Sequence, residues 1–425
     1  MDTGAAGTTF DYDLAVIGSG PAGQKGAIAA AKRGERVAII DRHEMVGGVC
    51  LHTGTIPSKT VREAILHLSG FRQRLFYGRD YVVSQHISAR DLAHRVQAVV
   101  TREVEVVRNQ LRRNGVTTLA GTARFLDPHT IEVTPAAGTP DVVRAARVLI
   151  ACGTRAARSP DIALDGVRIF DADQLPAVPE LPRDLIVVGA GVIGLEYASM
   201  FTALDIKVTI IDQRPTLLDF VDRELIEALG YHMRRRGATF RLGETVASVG
   251  LDAQDRVEAV LDSGKRVRGQ ALLYTVGRQT NTDLLNLPAA GLTADARGRI
   301  AVDDCYRTCV PLSAAAGDVI GFPSLASSSA EQGRLASAHL FGAPRRATPP
   351  DLLPYGIYTV PEISMVGRTE RELTAAKVRY EVGISRFSEL ARAQMIGDER
   401  GLLKLLFDPD TLRLLGVHVM GECAT

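Results

Sequence analysis

Two stretches of 29 residues repeat one pattern of apolar and polar positions. Asp13–Asp41 reads DLAVIGSGPAGQKGAIAAAKRGERVAIID and Asp184–Asp212 reads DLIVVGAGVIGLEYASMFTALDIKVTIID, aligned without a gap at an offset of 171, with 11 identical positions. In each copy an apolar run meets a glycine-rich turn, a helical stretch follows, and a second apolar run ends on aspartate. The pattern predicts a strand, a helix and a second strand, the β-α-β half of a dinucleotide fold. After the first copy come a helical stretch around Asp91–Asn114 and alternating segments to Ile150. The proline-rich Pro176–Pro182 reads as a linker, the pattern of the second copy ends near Gly277-Arg278, and Pro344–Pro354 marks another break.

The expected architecture is α/β, with two Rossmann-like dinucleotide-binding domains followed by a C-terminal α+β domain. Residues 1–10 read as a flexible N-terminus, 11–155 as the first dinucleotide domain, 156–278 as the second, 279–345 as a return to the first, and 346–425 as the C-terminal domain. In the first copy Gly18, Gly20 and Gly23 permit a tight turn, close approach to a pyrophosphate, and close packing of helix on strand; Gly189, Gly191 and Gly194 repeat the device. The N–H groups at each helix start, and the positive end of its dipole, then face phosphate. Asp41 and Asp212 each lie 23 residues after the first glycine of their copy, where a ribose hydroxyl needs an acceptor. One such motif alone is weak, since it also serves as an ordinary turn before a helix. Here strand, turn, helix, strand and acid coincide twice, so two dinucleotide sites are expected.

Composition narrows the classes. Lys plus Arg number 50 against 49 for Asp plus Glu, which leaves no broad cationic field for nucleic acid or an anionic membrane. No apolar run reaches spanning length, and Met1–Phe10 lacks the regions of a signal peptide, so a cytoplasmic protein is expected. The cysteines, Cys50, Cys152, Cys305, Cys309 and Cys423, are odd in number and scattered, which argues against a disulfide framework. Cys305 and Cys309 have no companion His or Cys pair, so no metal site is expected.

The stretch from Gly47 to Lys59, GGVCLHTGTIPSK, is the most informative. With the two nucleotide folds, it resembles the FAD/NAD-linked disulfide reductase family, which includes dihydrolipoamide dehydrogenase and glutathione reductase. In that family two cysteines five positions apart carry electrons from flavin to a disulfide. Cys50 holds the first position here, but Thr55 holds the second. A threonine hydroxyl neither exchanges with disulfides nor forms a thiolate, so disulfide reduction is excluded and Cys50 reads as inert packing more than as a reactive thiol.

The Si-specific, soluble pyridine nucleotide transhydrogenases, a branch of this family, are similar with the same replacement. Shared runs are GTIPSK at Gly54–Lys59, GAGVIG followed by Glu196-Tyr197-Ala198-Ser199, GDVIGFPSLA at Gly317–Ala326, GIYTVPEIS at Gly356–Ser364 and LARAQ at Leu390–Gln394. The resemblance implies FAD on the first fold and NAD or NADP on the second. It further implies that Asp41–Cys50, with Gly48, line the FAD, that Ala123 offers backbone to the adenine, that Gly153 and Ala326 join this set, and that Asp318 accepts a ribityl hydroxyl. A carboxylate at the Gly317-Asp318 turn, between the apolar Ala314–Ala316 run and a helical stretch, agrees with that role.

By the same resemblance Lys59 pairs with Glu196 beside the flavin, and Val246 and Gly277 complete the second nucleotide site. Lys59 lies one helical turn after Thr55, so both can face one edge of a ligand. At the second site Asp212 suits the 2′-OH of NAD and Arg214 the 2′-phosphate of NADP, so both nucleotides are expected to bind. The expected activity is hydride transfer from NADPH to flavin and on to NAD⁺. A diaphorase or quinone reductase, and a non-catalytic flavin-holding nucleotide sensor, remain open alternatives. In the family the C-terminal domain forms a homodimer; the chain stops at Thr425, so that domain reads as truncated and its dimer as compromised.

Overall fold

The structure, a computed structural model, describes residues 10–77, 87–344 and 352–425. The expected flexible N-terminus, apart from Phe10, and the Pro349-Pro350 break lie outside these residues. The chain divides into two compact units, Met1–Pro57 with Ala98–Arg155 and Arg278–Ala347, and Ser58–Gln97 with Ala156–Gly277 and Thr348–Thr425.

In the first unit a five-stranded parallel sheet runs in the order Ser313–Ala315, Val148–Ile150, Leu14–Ile17, Val37–Asp41, Thr117–Ala120. Leu14–Ile17 is central and all four of its side chains are buried, as a parallel strand covered on both faces requires. Leu14, Val16, Ile39 and Leu149 pack on one face with Ala27 and Ala336, and Ala15, Ile17, Ile40 and Ile150 on the other with Phe125 and Ile131. The Pro21–Ala31 helix crosses the Ala326–Leu340 helix through small residues. A Cβ placed on Gly333 would stand 2.0 Å from the Ala22 carbonyl oxygen, so only glycine permits this approach. A three-stranded antiparallel sheet, Thr122–Asp127, Thr130–Thr134 and Asp141–Arg144, lies in the same unit.

The second unit repeats the device. Its parallel sheet runs Thr239–Leu242, Lys207–Asp212, Asp184–Val188, Ala271–Tyr274, Ile169–Asp171, with the first strand of the sequence repeat again at the centre. The Val192–Ala203 helix is buried from Gly194 to Ala203, which explains its nearly continuous apolar sequence. Residues 355–421 form a five-stranded antiparallel sheet in the order Tyr355–Ile357, Glu362–Gly367, Leu414–Gly421, Leu402–Phe407, Glu381–Arg386. The apolar run Leu414–Met420 is therefore an interior strand.

The described residues 58–77 and 87–97 cluster with the second unit. Ion pairs hold them there: Arg62 reaches Glu362 at 2.7 Å and Arg74 reaches Asp205 at 2.8 Å. Lys404, fully buried on the strand Leu402–Phe407, meets Asp222 at 3.0 Å and Glu224 at 2.7 Å, and also Glu370. Burial works against its charge, but the carboxylates outweigh it and raise its pKa above the ordinary lysine value. Among the described residues no helix is long and apolar enough to cross a membrane.

Gly333→Ala tests the helix crossing. The new methyl must push the two helices apart, at a cost of about 1–3 kcal/mol, visible as a lowered thermal midpoint. An unchanged midpoint would show that the crossing is loose.

Candidate functional site

Each glycine turn is shaped by contacts that leave no room for a side chain. Gly18 and Gly189 adopt φ of +100° and +101°, and a Cβ on either would meet the carbonyl oxygen of Ala151 at 2.3 Å or of Thr275 at 2.6 Å. A Cβ on Gly23 would lie 1.8 Å from the Gly18 carbonyl oxygen, and one on Gly194 would lie 1.9 Å from that of Gly189. At Gly20 and Gly191 the direction of an added Cβ is instead open, with nothing within 4 Å. Both of these glycines cap a helix without any side-chain hydrogen bond to the helix start. The two cradles thus present open, donor-bearing helix N-termini that fit a pyrophosphate.

The acid ending each repeat reaches back to its own turn. Asp41 accepts from the Ser19 N–H at 2.7 Å, the Ser19 hydroxyl at 2.6 Å and the Arg42 N–H at 2.8 Å. Asp212 accepts from the Ala190 N–H at 2.6 Å and from Arg214 through its N–H at 2.8 Å, Nε at 3.0 Å and Nη2 at 2.7 Å. The two carboxyls titrate in opposite directions. Burial raises Asp41; burial also opposes the Asp212 charge, but the Arg214 guanidinium and the N–H bonds hold that carboxyl below its ordinary value.

Around the first cradle Gly48 stands against the turn, a Cβ there being 2.9 Å from the Gly20 Cα, and the Gly47 N–H donates to the Ser19 hydroxyl at 3.0 Å. Cys50 lies half-buried on the Gly48–His52 helix, and Thr55 opens the Thr55–Leu68 helix that also carries Lys59. Ala123 is buried in the strand Thr122–Asp127, where it pairs with Val133. Gly153 has φ +64°, and its carbonyl accepts from the Asn281 N–H at 3.1 Å. Desolvation pushes the neighbouring Cys152 thiol up to about 12, which removes it from thiolate chemistry.

Asp318 begins a single 3-10 turn, Asp318–Ile320, and the following helix starts only at Ala326. The helix expected directly after Asp318 is displaced because Gly321, at φ +95°, and Pro323, which has no N–H to give a helix, turn the chain first. Sequence reasoning missed the partners of Asp318. The Thr154 hydroxyl donates to it at 3.1 Å and itself accepts from Arg278 Nε at 2.7 Å. Guanidinium has no acceptor, so the Thr154 proton must point to Asp318 and keep that carboxylate an oriented acceptor.

In the second unit Lys59 Nζ donates to Glu196 Oε2 at 2.8 Å, with the glutamate side chain 5% exposed. Glu196 Oε1 accepts from the Tyr358 N–H at 2.9 Å, and Lys59 Nζ stands 4.6 Å above the Tyr358 ring. The Ser199 hydroxyl fixes the adjacent backbone by accepting from the Val360 N–H at 3.0 Å. Tyr358 and Val360 gave no signal of their own beyond lying in GIYTVPEIS. Val246 is half-buried against the sheet core at the start of the strand Val246–Leu251, and Gly277, at φ +107°, faces open space. Cys305 is half-buried and Cys309 exposed.

Two glycine cradles, each closed by an aspartate, with a lysine paired to a buried glutamate in the second unit, define a redox enzyme built on two dinucleotide folds. Residues 12–333 match the model of the pyridine nucleotide-disulphide oxidoreductases, and 353–425 match the dimerisation domain of the same enzymes. The chain belongs to this family. It is 51% identical over 416 residues to the soluble pyridine nucleotide transhydrogenase of Mycobacterium bovis, covering 98% of this chain and 88% of that protein. To the soluble pyridine nucleotide transhydrogenase of Klebsiella pneumoniae it is 42% identical, covering 98% and 89%. The crystal structure of LpdA from Mycobacterium tuberculosis superposes with a TM-score of 0.89 at 29% identity, covering 97% of this chain and 90% of that one. The cradles described above fit the FAD and pyridine nucleotide of the family.

Two measurements probe this geometry. Lys59→Met leaves a buried carboxylate with one donor, whereas Glu196→Gln keeps the Tyr358 bond, so Lys59→Met should lower the denaturant midpoint more, by about 1–3 kcal/mol of stability. Equal losses would mean that the stranded carboxylate costs no more than the stranded lysine. The depressed Asp212 carboxyl contributes stability that is full above its unfolded value of 3.8 and lost as pH falls through the lower folded value. The stability gap between wild type and Asp212→Asn is therefore expected to be widest near neutral pH and to close in acid; a gap that does not change with pH would contradict the shift.

Proposed function

We propose that this chain moves hydride between NADPH and NAD⁺ through FAD, as a pyridine nucleotide transhydrogenase. The observation that carries this reading is Thr55 in the place of the second redox cysteine, with the Lys59–Glu196 pair intact at 2.8 Å. When bound, FAD supplies a two-electron store that accepts hydride from one nicotinamide and yields it to another. With no cysteine pair to drain that store, a second nucleotide taken up by the second cradle is the acceptor.

The chain's own residues then bind and orient. Gly18, Gly20, Gly23 and Asp41, with Gly48, Ala123, Gly153, Asp318 and Ala326, are assigned to FAD. Gly189, Gly191, Gly194, Asp212, Arg214, Val246 and Gly277 are assigned to NAD and NADP. Lys59, tied to Glu196 and lying over Tyr358, is a fixed cation whose task is to position the reacting rings, since hydride transfer depends on orientation above all. Thr55 shares its helix. Cys50 is assigned to packing rather than to electron transfer.

The setting is cytoplasmic, and the assembly is a homodimer formed through the C-terminal domain. Support comes from the dimerisation-domain match over 353–425 and from exposed apolar side chains there, among them Val382, Ile384, Met395, Leu412 and Leu414.

The test is spectroscopic. NADPH should bleach the flavin absorbance of the purified protein, and rapid mixing with NAD⁺ should restore it faster than mixing with a quinone. Faster recovery with the quinone would make the chain a diaphorase, and no bleaching by either reduced nucleotide would make it a nucleotide sensor.

A further inference from the structure

The two acids that close the cradles occupy equivalent positions in the repeat but are not equally available. A carboxylate offers about four lone-pair positions. Among the described residues Asp41 is reached by the Ser19 N–H, the Ser19 hydroxyl and the Arg42 N–H, which leaves one position for a ribose hydroxyl. Asp212 is reached by the Ala190 N–H, the Arg214 N–H, Arg214 Nε and Arg214 Nη2, at 2.6, 2.8, 3.0 and 2.7 Å. Its capacity is full. A 2′-hydroxyl arriving at the second site finds no acceptor until the guanidinium moves.

The same fork leaves the outer edge of Arg214 ready for a different ligand. Nε and Nη2 are turned toward Asp212, and Nη1, with two donors, makes no hydrogen bond among the described residues. The Arg214 backbone is tethered at both groups, its N–H to Asp212 and its carbonyl to the Gly243 N–H at 3.1 Å, so only the side chain, 43% exposed, is at liberty to swing. A 2′-phosphate can approach Nη1 while the fork stands, since the guanidinium already neutralises Asp212 and screens the phosphate from it.

We propose that Asp212 and Arg214 act as a self-blocking selector: the forked pair is the state that takes a 2′-phosphorylated adenosine, and a 2′-hydroxyl adenosine binds only after Arg214 has been displaced from Asp212. This rests on the assignment of the second cradle to NAD and NADP and goes beyond it by fixing an order of preference and its cause. Arg214 is then a specificity-determining residue with two opposed effects. It attracts one nucleotide and competes with the other.

Binding of 2′,5′-ADP and of ADP to the FAD-loaded protein, followed by calorimetry, tests the selector; loaded flavin keeps both probes out of the first cradle. Wild type should hold 2′,5′-ADP about tenfold or more tighter than ADP. Arg214→Gln should weaken 2′,5′-ADP about tenfold and, against the usual effect of deleting a contact, tighten ADP several-fold, because Asp212 is released. A thermal midpoint of Arg214→Gln close to that of wild type checks that the site remains folded. If Arg214→Gln leaves ADP binding unchanged or weaker, Arg214 does not compete for Asp212 and the proposal is overturned. Neither probe carries nicotinamide, so a failed hydride transfer with these affinities intact would sink the transhydrogenase reading alone.

Discussion

Both nucleotide sites depend on one close approach, that of a helix glycine to the carbonyl oxygen of the glycine that opens its turn. At Gly23 over Gly18 and at Gly194 over Gly189 any side chain would stand within 2 Å of that oxygen. The contact draws the helix start down onto the end of the central strand, which is what aims the open N–H groups outward at a single point. The carboxylate at the end of the next parallel strand then reaches the N–H of the residue after the first glycine, Ser19 or Ala190, and locks the turn. Strand register, helix placement and ligand cradle are consequences of the same packing.

Within that common frame the copies diverge where chemistry differs. Ser19 gives the first acid a hydroxyl and an amide; Ala190 gives the second only an amide, and Arg214 supplies the rest. Burial raises the pKa of the first acid, whereas at the second the arginine and the N–H bonds outweigh burial and lower it. A duplicated scaffold has thus been given one permanent cradle and one adjustable cradle by a handful of side chains at its rim.

Local pattern made the scaffold legible. The repeat, its glycines and terminal acids carry their periodicity within 29 residues, and those are the elements that sit at the centres of the two sheets. Interactions between distant positions were a different matter. Lys59 and Glu196 are separated by 137 residues, and only the resemblance to a known family joined them. Tyr358, which completes the environment of that pair, and Thr154 and Arg278, the partners of Asp318, carry no signature of their own. The partners of Arg62 and Arg74 likewise lie far along the chain, at Glu362 and Asp205.

The threading of the C-terminal sheet bears on how the protein is made. Its central strand, Leu414–Gly421, comes later in the sequence than all four of the others, so during synthesis the strands Glu362–Gly367 and Leu402–Phe407 leave the ribosome with their inner edges unsatisfied. Unpaired edges of apolar strands invite association with other nascent chains. Ribosome pausing or premature release anywhere before Leu414 would leave this sheet as two sticky halves, and chaperone demand during expression should peak there.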